Sequence, residues 1–318
     1  MTPLIAVDWG TSSLRAALLG PAGEVLDELA LPQGILQVAP GGFPAALRGA
    51  CERWAGAAQG AEPLVLMSGM VGSRQGWQEA AYCPCPAGFD DVARSLAWVP
   101  GGAGAPGLTR VAIVPGLSCE HGRIPELQHG QGIADVMRGE ETQVFGALAL
   151  LGLDAGLFVL PGTHSKWVRV RAGRIQDFRT FMTGEFYALL RRHSILARTL
   201  PEGEDAEFEP AAFSRGVAQA RTSGSLLNAA FGVRTLALFD RMPASAQPSY
   251  LSGLVIGEEL RAQALGAHPE PVVVVGAPEL TRRYALALDG LGIEVRCVGA
   301  EATWRGLRAI AQSLEKPT

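Results

Sequence analysis

The feature that most constrains this chain is a turn used twice. Leu4-Ile5-Ala6-Val7-Asp8 is a short apolar run ending in a carboxylate; Trp9-Gly10-Thr11-Ser12-Ser13 follows, and then a second apolar run, Leu14 to Leu19. In the second half, Leu157 to Leu160 leads into Pro161-Gly162-Thr163-His164-Ser165-Lys166 and out through Trp167 to Val170. Both segments read as two strands joined by a tight polar turn. Each half then adds a further strand, Glu24 to Leu31 in the first and Arg174 to Phe178 in the second, so each opens as a meander. A turn of this composition has two uses. It is an ordinary hairpin, or its backbone N–H groups and hydroxyls cradle phosphate oxygens while the strand-end carboxylate holds magnesium through water.

The rest of the chain alternates between helix and strand. Pro44 to Ala58 carries Leu47, Ala50, Cys51 and Trp54 at the spacing of one helical face. Pro63 to Met67 is a strand entering Ser68-Gly69-Met70-Val71-Gly72, and Val111 to Val114 is another. Gly139-Glu140-Glu141-Thr142 opens a long apolar helix with its acids at the positive end of the helix dipole. Helices follow over 184–190, 211–220, 225–239 and 253–264. Pro271 to Val275 reads as a fully buried parallel strand delivering Gly276-Ala277-Pro278-Glu279-Leu280 to a helix over 281–288; a strand over 293–298 and a helix over 303–314 close the chain. The succession predicts an α/β protein of two domains, 1–150 and 151–318, with the final helix packing back at the hinge.

Composition excludes several alternatives. The 318 residues are 48% hydrophobic and 18% charged, which suits a packed core and not a disordered chain. A net charge of -4 offers no basic face for nucleic acid, and no apolar stretch reaches the ~18 residues of a membrane span. The N-terminus lacks the basic region of a signal peptide. Five cysteines in no framework spacing point to a reducing, cytoplasmic setting. Cys83-Pro84-Cys85 is too closely spaced, and has no second ligand pair, for a zinc knuckle. Neither GxGxxG nor GxxxxGK[ST] occurs, which argues against nicotinamide cofactors and the P-loop enzymes.

Two glycine hairpins opening two halves, with a late strand-glycine-helix element, resemble the actin-like ATPase superfamily of sugar kinases, actin and heat-shock ATPases. The resemblance sharpens over five pieces in order: Asp8-Trp9-Gly10-Thr11-Ser12, Ser68 to Trp77, Met137-Arg138-Gly139-Glu140-Glu141-Thr142-Gln143, Pro161 to Trp167, and Phe181-Met182-Thr183-Gly184-Glu185. Together they resemble the 2-dehydro-3-deoxygalactonokinase family. That resemblance implies two ribonuclease H-like domains with an interdomain cleft. It also implies transfer of a phosphoryl group from ATP, with Mg2+, to the 6-hydroxyl of 2-dehydro-3-deoxy-D-galactonate in galactonate breakdown. The alternatives are a kinase of another small sugar acid, or an actin-like ATPase or phosphatase that is no kinase.

By the same resemblance, Asp8, Gly10, Thr11 and Ser12 form the first phosphate turn, with Asp8 also at the metal, and Gly162, Thr163 and Lys166 form the second. Gly276 and Ala277 face the adenosine. Transfer to an alcohol needs a carboxylate to take the hydroxyl proton, and Glu141 is the first choice, ahead of Glu140, Asp135 and Asp8. First-turn capping of the helix explains Glu140 and Glu141 nearly as well. The substrate's carboxylate calls for a forked arginine, Arg74 or Arg138, and Trp77 and Tyr82 offer an apolar wall. The expected partner is a small sugar acid, with no nucleic acid and no membrane; whether the chain forms a homo-oligomer stays open.

Overall fold

The structure, a computed structural model, describes residues 3–57, 62–122, 132–201, 207–265 and 270–315. The chain divides into two compact units, one of Met1–Gly156, Val168–Arg179 and Val298–Thr318, the other of Leu157–Trp167 and Thr180–Cys297. The chain passes out of the first unit after Gly156 and returns to it at Val168 and again at Val298.

The first unit opens with β1 (Leu4–Trp9), β2 (Leu14–Leu19) and β3 (Val25–Leu31). After α1 (Phe43–Cys51) come β4 (Leu64–Ser68), the short β5 (Cys83–Pro84) and β6 (Ala87–Gly88), α2 (Phe89–Arg94), β7 (Ala97–Trp98) and β8 (Val111–Ile113). Then follow β9 (Leu117–His121), β10 (Ile133–Met137) and α3 (Glu140–Leu151). The main sheet has the order β3-β2-β1-β4-β8-β7. β1 lies inside it, antiparallel to β2 and parallel to β4, which is why Leu4, Ile5, Ala6, Val7 and Trp9 are all buried. β3, further out, carries Asp27 and Glu28 and alternates toward solvent. α1 buries Phe43, Leu47, Ala50 and Cys51; it is shorter than the expected helix, the chain passing at Glu52–Trp54 into a tighter 3-10 turn. The β9–β10 hairpin was not expected, because its strands alternate too weakly, with Glu120, His121 and Asp135 among their residues.

The closing helix α9 (Glu301–Glu315) belongs to this unit and packs on α3. Two glycines allow the contact. A Cβ at Gly146 of α3 would stand 1.7 Å from the Ala302 carbonyl oxygen, and one at Gly306 of α9 would stand 1.9 Å from that of Thr142.

The second half repeats the plan with β11 (Gly156–Leu160), β12 (Ser165–Arg171) and β13 (Arg174–Phe181). Helices α4 (Thr183–His193), α5 (Pro210–Thr222), α6 (Leu226–Leu238) and α7 (Gln247–Gln263) follow, then β14 (Val272–Val275), α8 (Pro278–Asp289) and β15 (Val295–Val298). Five strands of its six-stranded sheet, in the order β13-β12-β11-β14-β15, match β3-β2-β1-β4-β8 strand for strand. β14, four valines all buried, runs parallel to β11, as β4 does to β1. Among the described residues no helix is long and apolar enough to cross a membrane.

Candidate active site

In each half the glycine turn lies at the carboxyl end of the inner parallel strands, where open α/β sheets leave room for a ligand. In the first unit Asp8 pairs in register with Ser68, so the ends of β1 and β4 are level. Gly69 follows at φ +96°, and a Cβ there would lie 2.9 Å from the Trp9 carbonyl oxygen and 3.4 Å from Asp8 Oδ1. Only glycine brings the backbone this near the aspartate without strain. Gly139, at φ +108°, stacks on the same spot, its Cβ position 3.4 Å from Gly69 Cα. Asp8, Ser68 and the first turn of α3 therefore converge within one unit.

The turn itself is presented outward. Gly10 N–H donates to Ser13 O (2.9 Å), and the Gly10 carbonyl accepts from Ile35 N–H (3.0 Å), which fixes the loop from behind. Thr11 and Ser12 stay exposed. Asp8 is held through Oδ2 by Arg15 Nη2 at 2.5 Å, with 23% of its side chain exposed. Its free edge and the neighbouring hydroxyls form an all-oxygen set of the kind magnesium accepts through water, with phosphates supplying the rest. Among the described residues no three His, Cys, Asp or Glu side chains form a metal cage, so one carboxylate with substrate oxygens is the arrangement these residues fit.

Glu141 is fully buried. Its Oε2 accepts Gly139 N–H (2.7 Å) and its Oε1 accepts the Thr142 hydroxyl (3.1 Å), while Thr142 and Ser68 share a hydrogen bond of 2.9 Å. Burial, and then the charge of Glu140, push its pKa up to about 8, against the hydrogen bonds that favour the anion. Glu140 is turned elsewhere, its Oε2 taking Arg138 N–H (2.9 Å). Asp135, on β10, caps the next backbone N–H, that of Val136 (2.8 Å).

The two candidate arginines are placed differently. Arg74 projects with 87% of its side chain exposed and is paired with Glu79 (3.0 Å). Arg138 lies over the Tyr82 ring at 4.4 Å and gives Nη2 to the Ala80 carbonyl (2.8 Å), while Nε and Nη1 are buried with no acceptor. Buried guanidinium donors without acceptors are costly, and an incoming carboxylate would satisfy them. Trp77 stacks on Phe43 (6.2 Å, 13°), which meets Trp9 edge-on, so it packs against the core of this unit.

In the second unit Thr163 and His164 are exposed at the tip of the turn. α4 starts against it: a Cβ on Gly184 would lie 2.4 Å from the Gly162 carbonyl oxygen, and Glu185 N–H donates to Thr163 O (3.0 Å). His164 Nε2 is 2.6 Å from Glu185 Oε2. Lys166 does not lie at the tip. It is buried, and its Nζ donates to Thr180 Oγ1 (2.7 Å). Gly276, at φ +152°, faces Pro161, whose carbonyl oxygen is 3.8 Å from the Cβ position, and Ala277 caps α8. The second turn and Gly276-Ala277 are thus neighbours at the ends of β11 and β14.

Sequence reasoning missed three polar partners. Arg15 follows Asp8 on the antiparallel strand, where β1–β2 pairing puts it opposite. Ser68 reads from the sequence as a turn residue, with nothing to mark it as the partner of Thr142. Glu259 signals itself only as one of two adjacent acids, with Glu258, inside the otherwise apolar stretch Leu254 to Leu260.

A strand-turn-strand unit used twice, each with a glycine turn at its strand ends, defines the α/β fold of the actin-like ATPases and sugar kinases. At the level of fold alone, component A of the Acidaminococcus fermentans (R)-2-hydroxyglutaryl-CoA dehydratase superposes with TM-score 0.51 and 12% identity, covering 99% of this chain and 100% of that one. The family model described as 2-keto-3-deoxy-galactonokinase matches residues 8–310, and the chain belongs to that family. It is 38% identical to the Rhizobium meliloti (strain 1021) protein named "Probable 2-dehydro-3-deoxygalactonokinase DgoK1", over 97% of this chain and 96% of that one. It is 33% identical to the Escherichia coli (strain K12) 2-dehydro-3-deoxygalactonokinase, over 98% of each. A Sinorhizobium meliloti crystal structure described in similar terms shares 36% identity and a TM-score of 0.83, covering 98% of this chain and 99% of that one.

Proposed function

We propose that this chain transfers the γ-phosphoryl group of ATP to the 6-hydroxyl of 2-dehydro-3-deoxy-D-galactonate, in D-galactonate breakdown. The observation that carries this reading, beside family membership, is the meeting of Asp8, Ser68, Gly139 and buried Glu141 at the strand ends of the first unit.

Glu141 is the general base. A carboxylate of ordinary acidity is a weak base at neutral pH, and burial that lifts it to about 8 matches it to its task. Both of its oxygens are engaged here, by Gly139 N–H and the Thr142 hydroxyl. Each oxygen keeps a second lone pair, so the acceptor hydroxyl can bind beside these donors; Thr142 can also turn away, since Ser68 offers it an alternative partner. Arg138 holds the substrate carboxylate with its unspent donors; Arg74 and Trp77, candidates from the sequence, rank behind it. Thr11 and Ser12 with the Gly10 backbone are the phosphate-binding groups of the first unit, Gly162 and Thr163 those of the second, and Lys166 adds its charge from behind the second turn. Gly276 and Ala277 admit the adenosine. Asp8 holds magnesium, which when bound supplies positive charge to the phosphates.

The test is ADP release with ATP and magnesium, offered 2-dehydro-3-deoxygalactonate, its gluconate epimer or no acceptor. Turnover confined to the galactonate compound, reduced about 100- to 10,000-fold in Glu141→Gln, is the expected result. Equal turnover with no acceptor would make the protein an ATPase or phosphatase. Full activity of the variant would remove Glu141 as base.

A further inference from the structure

Glu259, buried within α7, accepts hydrogen bonds from four side chains on three other elements of the second unit. From β12, Ser165 Oγ (2.8 Å) and Trp167 Nε1 (2.6 Å) donate to its Oε1. From α8, Tyr284 OH (2.7 Å) donates to Oε2, and so does Thr183 Oγ1 at the start of α4. All four donate in this arrangement, and the carboxylate, with acceptor sites on both oxygens, takes all four at once. Burial raises the pKa of Glu259 and outweighs the four donors, which favour the charged form. What the carboxyl group does that an apolar side chain could not is tie four side chains from three elements to one point.

The elements it joins share one property: each leads out of, or is pressed against, a turn assigned above to the nucleotide. β12 begins where Pro161–His164 ends. α4 begins with Thr183-Gly184, pressed against Gly162 and bonded to Thr163 O through Glu185 N–H. α8 begins directly after Gly276-Ala277. Strand alternation adds a fourth link. With Ser165 and Trp167 turned to Glu259, Lys166 between them must point to the opposite face of β12, where it meets Thr180.

We propose that Glu259 is a positioning residue for the nucleotide, setting from behind the spacing of the Gly162-Thr163 turn, the N-terminus of α4 and the Gly276-Ala277 turn. This rests on the reading that those turns bind ATP. It separates Glu259 from Glu141: one organises the ATP side and touches no reacting atom, the other takes the proton.

Glu259→Gln keeps the size of the side chain but sets an NH2 group against two donors. The expected result is a rise of about tenfold or more in KM for ATP and in Kd for ADP, as follows from spoiling a hydrogen-bonded charge. KM for the sugar acid stays within about twofold on the same scale, and Glu259→Asp recovers part of the loss. Thermal midpoints are measured alongside. Leu254→Ala, a cavity in the same helix, is the control that lowers the midpoint without moving KM for ATP. If Glu259→Gln behaves like that control, the proposal is overturned. If it fails to fold, Thr183→Val, which removes one donor of the four, decides by the same criterion. ADP binding to the unaltered protein keeps the two readings apart: no binding overturns the ATP reading and this proposal with it, whereas normal binding in both proteins overturns this proposal alone.

Discussion

At the residue scale the decisive group is Glu141, because one burial has two consequences of opposite sign. The unfolded chain gives up this proton near the ordinary 4.5, while the folded chain keeps it to about 8. Between those values the native state binds more protons than the unfolded one, so this group's contribution makes stability fall as pH rises from 4.5 to 8 and level off above. As base, Glu141 works only deprotonated, so kcat/KM should climb over the same window and reach its plateau above about 8. Glu140 supplies the second cause of the shift, and Glu140→Gln keeps an oxygen for Arg138 N–H. That variant should move both the activity rise and the stability fall to lower pH. Rate profiles and urea midpoints taken across pH check this; a profile that Glu140→Gln leaves in place would detach the rise from Glu141. The acids at 140 and 141 were visible in the sequence as a helix start. Which of them is buried was not, since that depends on Gly69 and Ser68 arriving from elsewhere in the chain.

At the scale of elements, the site depends on how closely helices can approach. α3 carries Glu141 and Thr142 on its first turn, and α9 comes against that turn at Gly306, whose Cβ position is 1.9 Å from the Thr142 carbonyl oxygen. The obstacle is backbone, which cannot yield by a change of rotamer, so Gly306→Ala must push α9 off α3 or tilt the first turn. Elsewhere a glycine-to-alanine change in a helix stabilises: Gly232 in α6 has open space around its Cβ position, and Gly232→Ala should add about 0.5–1 kcal/mol. The expected pair is a lowered melting midpoint with a fall in kcat for Gly306→Ala, and a raised midpoint with unchanged kcat for Gly232→Ala. Loss of stability with unchanged kcat in Gly306→Ala would show that α9 supports the unit without setting Glu141. The closing helix was legible from its apolar spacing, Ala302, Leu307, Ile310 and Ala311 all being buried. Its partner was not, because periodicity tells which face is covered and nothing about what covers it.

At the scale of the whole molecule, the legible part of the fold was its duplication. Two glycine-hydroxyl turns in equivalent places announced two strand-turn-strand units, and the sheets show the same order of five strands twice. Local patterns survive in sequence because alternation and turn chemistry act over a few residues; the return of 168–179 and 298–318 to the first unit is a long-range outcome that no local pattern encodes. The repeat is symmetric in strands but not in chemistry. The first unit carries the acids, Asp8 and Glu141; the second offers hydroxyl and backbone donors, the start of α4 and the open Gly276-Ala277 turn. Damage to the two turns should therefore differ in kind. Asp8→Asn should lower kcat by about two orders of magnitude, through loss of charge at the phosphates, and leave ADP affinity measured without magnesium within about threefold. Gly276→Val forces a β-branched residue to φ +152° beside Pro161, at a cost of about 1–3 kcal/mol, and should weaken ADP binding about tenfold while KM for the sugar acid holds. Calorimetric titration of ADP and of the sugar acid against both variants reads the difference directly. If Asp8→Asn lost ADP as Gly276→Val does, or if Gly276→Val lost the sugar acid instead, the duplicated turns would share one task and the division between an acidic and a donor half would be wrong.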